Sequence, residues 1–146
     1  MKVLMVCLGN ICRSPLAEGI FRVQVNAAGL DWEVASAGTG DWHVGHPPDR
    51  RGIAMAANYG YDISAQRAQQ FSARMFDAFD HILVMDKNNL RDVLKLAKND
   101  EQRRKVKLFL NEEQEVRDPY FDNALFEPVL LEIEVRSKQL IAEFSR

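Results

Sequence analysis

Lys2-Val3-Leu4-Met5-Val6-Cys7-Leu8-Gly9-Asn10-Ile11-Cys12-Arg13-Ser14-Pro15 is the stretch whose reading decides the architecture. Lys2–Val6 reads as a buried strand, because its apolar residues run on without alternation. Ser14-Pro15 then opens a helix, with Ser14 as N-cap and Pro15 at the first helical position. Leu16, Ile20, Val23 and Ala27 follow at helical spacing, and Gly29 closes the helix. A strand, a tight loop and a helix begin a chain that goes on alternating between the two.

Working outward, Trp32–Ser36 reads as a second strand and Ala37–Arg51 as a Gly-rich loop carrying Pro47-Pro48. Short helices are expected over Gly52–Asn58 and Ser72–Phe76. His81–Met85 is a third strand, Asn88–Ala97 a helix and Val106–Leu110 a fourth strand. Asn111–Pro119 is a polar loop, and Asp122–Phe144 a long closing helix with Val129, Ile133, Leu140 and Phe144 on its apolar stripe. Asp86 is expected to cap the helix that follows it. Lys98–Lys107 mixes both charges and reads as a solvated face. Strands alternating with helices imply right-handed crossovers. The fold class is therefore α/β: a three-layer α/β/α sandwich around a four-stranded parallel sheet. Ligands of such sheets sit beyond the carboxyl ends of the strands, and the first such place is the loop Cys7–Ser14.

The 146 residues predict a single domain spanning 1–146. Hydrophobic residues make up 47% and charged residues 27%, which suits a globular chain. Lys and Arg total 19 against 21 Asp and Glu, a net charge of -2. That balance excludes a general nucleic-acid binder, which needs a basic excess. No apolar run approaches the roughly 20 residues of a membrane helix, and Lys2 leads straight into a strand with no cleavage site behind it. No membrane association and a cytoplasmic location are expected. Nothing in the surface pattern demands a dimer, so a monomer is expected. Two cysteines, Cys7 and Cys12, make no disulfide framework.

The loop Cys7-Leu8-Gly9-Asn10-Ile11-Cys12-Arg13-Ser14 carries the chemistry. Gly9 and Asn10 tolerate positive φ, so the loop can turn successive N–H groups inward as an anion-binding nest. The following helix brings a positive dipole end, and Arg13 a planar fork for two oxygens of a phosphate. Such a field favours thiolate over thiol at Cys7, and a thiolate facing a phosphate is a nucleophile aimed at phosphorus. Ser14 can donate a hydrogen bond to the sulfur. With twelve arginines in the chain, Cys-x5-Arg followed by Ser or Thr arises by chance in only about 1% of sequences of this composition. A Walker-type phosphate loop is excluded, since G-x4-G-K-[ST] is absent. The leaving oxygen needs a proton. Asp118-Pro119-Tyr120-Phe121, after the fourth strand, offers Asp118 either as that acid or as an ordinary turn former.

These residues together resemble the low-molecular-weight protein tyrosine phosphatase family, and the likeness covers the whole chain. Cys7–Pro15 is similar to the family's phosphate loop without a gap. Ser36-Ala37-Gly38-Thr39, Pro47-Pro48-Asp49, Met85-Asp86 and Asp118-Pro119-Tyr120 resemble further family segments. The resemblance implies Cys7 as nucleophile, Arg13 as phosphate clamp and Asp118 as general acid and then base. It implies substrate contacts from Leu8, Gly9, Asn10, Ile11, Cys12 and Ser14, with Trp42 and Tyr120 flanking the substrate ring. Asn10 would hold a left-handed conformation tied to Ser36 and Ser14, with Ser36 supporting the loop. Cys12 would trap oxidised Cys7 as a disulfide. Phosphotyrosine-containing proteins would be the substrates and phosphate the product, with neither cofactor nor metal. Where many members carry Ala-Arg-Gln, this chain has Ala68-Gln69-Gln70, a change expected to leave the phosphate loop untouched.

Other readings compete. His43 and His46 lack a third ligand and an ordered scaffold for a metal, so His43 is placed on the pocket rim. Trp42 could merely cap the core. Arsenate reduction on the same loop would need a further cysteine pair, which the chain lacks. A phosphotyrosine-binding or thiol-redox module without turnover would have no need of Asp118.

Overall fold

A computed structural model describes all residues, 1–146. Four strands form one sheet: β1 Lys2–Cys7, β2 Glu33–Gly38, β3 His81–Val84 and β4 Val106–Leu108. Their order is β2-β1-β3-β4 and every pairing is parallel. Helices α1 Arg13–Ala27, α2 Arg50–Asn58, α3 Met75–Ala78, α4 Lys87–Leu94, α5 Asp100–Arg104 and α6 Phe126–Phe144 surround it. The chain moves from β1 to β2 on one side and then returns to place β3 on the other. This reversal leaves a crevice at the carboxyl end of β1, where ligands of open α/β sheets bind.

The sequence of β1 explains why the sheet is covered on both faces. Val3, Met5 and Cys7 point into one core with Leu16, Ile20 and Phe21 of α1 and Val129, Leu130 and Ile133 of α6. Leu4 and Val6 point into a second core with Phe71, Phe76, Ile82, Val84 and Val93. Side chains alternate across a strand, so a continuous apolar run fills two layers at once. The expected three-layer sandwich is what forms.

Several boundaries differ from the sequence reading, each for a physical reason. Helix α1 begins at Arg13 with Cys12 as N-cap and no side-chain cap bond; the Ser14 hydroxyl goes to the Cys7 sulfur instead. Trp32 lies before β2 and packs between Phe21 and Phe144. Helix α2 starts two residues early, because Asp49 accepts the Arg51 N–H as its cap. α3 lies at Met75–Ala78, later than Ser72–Phe76. Asp86 caps α4 as expected, in a reciprocal box with Asn89, and the helix ends at Leu94. Within the charged stretch Lys98–Lys107 a five-residue exposed helix forms, capped by Asn99 and carrying an Asp100–Arg103 ion pair. β4 pairs over only three residues, after which Phe109 and Leu110 enter the α1/α6 core. The closing helix does not begin at Asp122. Asp118 and Asp122 accept the N–H groups of Tyr120 and Ala124, giving two short turns, Pro119–Phe121 and Asn123–Leu125, before α6. Such local side-chain bonds compete with a helix.

Candidate active site

β1 ends at Cys7, and the loop that follows wraps around the sulfur. The Asn10 N–H donates to Cys7 Sγ at 3.2 Å, and Ser14 Oγ lies 3.0 Å from the same sulfur. Asn10 takes φ 57°, the left-handed conformation that lets its N–H point back. Its side chain is buried behind the loop as a hub. The amide Nδ2 donates to Ser14 Oγ at 2.7 Å and to Ser36 Oγ at 2.9 Å, while Oδ1 accepts the Gln69 N–H at 3.0 Å. Ser36 in turn donates to Glu18 Oε1 at 2.6 Å. Because Ser14 Oγ already accepts from Asn10, its own hydrogen is free to be donated to the sulfur.

Arg13 is buried at the start of α1. Its Nη1 donates to Asp86 Oδ2 at 2.7 Å and to the Val116 carbonyl at 3.1 Å. Its Nη2 lies 3.9 Å from Asp118 Oδ2. Burial works against the guanidinium charge, but Cys7, Asp86 and Asp118 together outweigh it and raise its pKa. The guanidinium thus stays charged and is aimed by fixed partners. The Cys12 thiol is pushed up to about 12, first by burial and then by the charges of Asp49, Cys7 and Asp118. Cys12 is therefore a neutral thiol within the loop, and both cysteines are free.

A cavity of about 210 Å³ opens over the sulfur. Of the residues singled out from sequence, Cys7, Leu8, Gly9, Ile11, Cys12, Arg13, Trp42, Asp118 and Tyr120 all line it, and His43 does too. Asn10, Ser14 and Ser36 do not; their buried side chains brace the loop from behind. Trp42 and Tyr120 are 66% and 42% exposed, which places them as walls of the mouth and rules out a core-capping Trp42.

Four contributors were missed. Phe121, 88% exposed, adds a third aromatic wall. Asp86 does more than cap α4, since it also anchors Arg13; its place just past β3, the neighbour of β1, was the available signal. Glu18 lies four residues after Ser14 on one helical face, an acid among apolar neighbours. Gln69 is a correction: the position does reach the phosphate loop, through its N–H on Asn10 and its side-chain amide on the Ser36 carbonyl at 3.0 Å.

The family model for low molecular weight phosphotyrosine protein phosphatase matches residues 2–146. The chain belongs to this family. Among low molecular weight phosphatases, a putative member from Synechocystis sp. is 43% identical over 138 residues, covering 89% of this chain and 87% of that one. The low molecular weight phosphotyrosine protein phosphatase of Homo sapiens is 40% identical, covering 84% and 81%. A crystal structure of a protein tyrosine phosphatase from Entamoeba histolytica, a product state mimic, superposes with TM-score 0.93 at 30% identity over 99% of this chain and 96% of that one. Low molecular weight phosphatases are hydrolases, and the loop, the arginine and the aspartate of this one converge on a single cavity.

Proposed function

We propose that this enzyme hydrolyses phosphotyrosine and related aryl phosphate monoesters through a phosphocysteine intermediate. The observation that supports it most is the sulfur of Cys7, held by the Asn10 N–H and Ser14 Oγ at the floor of a cavity that Arg13 and Asp118 also line. In the first step the Cys7 thiolate attacks phosphorus, a sulfur–phosphorus bond forms and the bond to the phenolic oxygen breaks. Asp118, protonated, gives its proton to that oxygen. Arg13 and the loop N–H groups hold the phosphoryl oxygens as charge builds on them. In the second step Asp118, now a carboxylate, takes a proton from water as the water attacks phosphorus. Phosphate leaves, and the departing sulfur returns as thiolate with Ser14 donating to it. The aromatic mouth of Trp42, Tyr120 and Phe121 favours the long, flat phosphotyrosine side chain over shorter phosphoserine. Phosphotyrosine-containing proteins are thus the substrates, and no step calls on a cofactor.

Turnover of a chromogenic aryl phosphate at mildly acid pH tests the reading. Cys7→Ser is expected to abolish turnover while phosphate or vanadate still binds. Turnover near that of the unaltered enzyme would refute the covalent route. Asp118→Ala is expected to slow poor leaving groups far more than good ones, which a phosphotyrosine-binding module without turnover would not show.

A further inference from the structure

The acid-bearing segment, residues 118–125, is exposed over much of its length and built from two tight turns. Its internal bonds come from its own Asp118 and Asp122. Arg51 is the one side chain from outside that hydrogen-bonds to it. The Arg51 Nη2 donates to the Tyr120 carbonyl at 3.0 Å and Nη1 to Asn123 Oδ1. The guanidinium also stacks over the ring of buried Phe126, 4.8 Å from its centroid, and lies 5.5 Å from that of Tyr120.

Arg51 does not float free at its other end. Its Nε and Nη2 both reach the Asp49 carboxylate at 2.9 Å, a two-pronged pair. This bond from Arg51, ahead of every other influence, holds the Asp49 carboxyl below the usual carboxylate range. The Asp49 N–H donates to the Ile11 carbonyl at 2.8 Å, inside the phosphate loop. One unbroken chain of contacts therefore runs from the loop that holds the anion, through Asp49 and Arg51, to the segment that carries the acid. Tyr120 sits two residues past Asp118, separated by Pro119 with its fixed φ, and its N–H grips the Asp118 carboxylate at 3.1 Å. Where Arg51 holds the Tyr120 carbonyl, it sets where the Asp118 carboxyl stands over the cavity.

We propose that Arg51 is a positioning residue for the general acid, a clamp that fixes the distance between Asp118 and the phosphate loop. The proposal rests on the phosphocysteine reading with Asp118 as proton donor. A misplacement of about 1 Å can cost on the order of 10²-fold in rate, and proton donation is worth on the order of 10²–10⁴-fold. Arg51 therefore matters in proportion to how badly the leaving oxygen needs its proton.

The experiment measures kcat/KM, which reports the first phosphoryl transfer, over a series of aryl phosphates from dinitrophenyl to alkylphenyl leaving groups. Arg51→Met is expected to lose about 10- to 100-fold with the poorest leaving groups and less than about 3-fold with the best. Inhibition by vanadate should stay within about 3-fold of the unaltered enzyme, since the phosphate loop is intact. In an Asp118→Ala background Arg51→Met should cost nothing further at the poor end, because the acid it positions is gone. Arg51→Lys keeps the charge but not the fork and should recover only part of the loss; Asn123→Ala, which removes one arm, should shift the series in the same direction by less. These two variants carry the test should Arg51→Met fail to fold. An equal loss across the series, a full additional loss in the Asp118→Ala background, or complete recovery by lysine overturns the clamp. A flat response of Asp118→Ala itself would instead overturn the acid assignment, so the two failures are told apart.

Discussion

Replacing Asn10 by alanine removes the hub behind the phosphate loop, and the structure sets the size of the loss. Three hydrogen bonds go, at 2.7, 2.9 and 3.0 Å. Ser14 and Ser36 are buried but each keeps one other partner, Cys7 and Glu18 respectively. Each broken bond therefore costs about 1 kcal/mol, the low end for a group losing its partner. Alanine must also hold the φ of 57° seen at this position, which costs about 1 kcal/mol or more. The sum is about 4 kcal/mol or more, a large share of the roughly 5–15 kcal/mol by which a domain is stable. Urea unfolding at neutral pH reads it as a lower midpoint with unchanged slope. Asn10→Gly loses the same bonds without the steric cost, so it should fall short of the alanine loss by up to about 1 kcal/mol. Turnover should drop about 10-fold or more in both, because Ser14 is no longer steered onto the sulfur. An alanine variant that unfolds within about 1 kcal/mol of the unaltered protein would show that the loop is held by something other than this hub.

Three further outcomes are expected. Gly38→Ala would place a Cβ 2.8 Å from the Leu8 carbonyl oxygen and 3.1 Å from the Asn10 nitrogen; backbone cannot yield, so a loss of about 1–3 kcal/mol and a lower thermal midpoint should accompany reduced turnover. Iodoacetate at neutral pH should label one cysteine, Cys7, and spare Cys12, whose thiol burial and nearby negative charge push up to about 12; peptide mapping with equal label on both would contradict this. Burial, aided by Lys107 and opposed by Asp80, lowers the His81 pKa below 6.5. The folded state resists the proton there, so this contribution to stability is complete above 6.5 and is lost as pH falls through the window down to the lowered value. Urea midpoints between pH 7 and 5 should fall, and fall less in His81→Gln.

Much of the site was legible because it is local. Cys7, Asn10, Arg13 and Ser14 share one loop of eight residues between a strand and a helix, so spacing alone brings them together. The Asn10 ties to Ser14 and Ser36 appear as the family likeness implies. What escaped were partners that depend on other parts of the chain. Asp86 meets Arg13 across 73 positions, Gln69 meets Asn10 across 59, and Arg51 meets Tyr120 across 69. Helix boundaries slipped where a side chain found a better bond than the cap expected of it, as Ser14 did with Cys7 and Asp118 did with Tyr120.

By itself the amino-acid order determined the α/β layering, since an apolar run such as Val3–Val6 must bury both faces and helices must cover them. It also placed a sulfur and an arginine around a turn able to hold an anion. Only the tertiary structure decided which distant groups aim that arginine and bring Asp118 to the cavity. Those contacts close loops of some seventy residues, and a pairing of that kind is selected by the packing of the whole sheet, which no local spacing encodes.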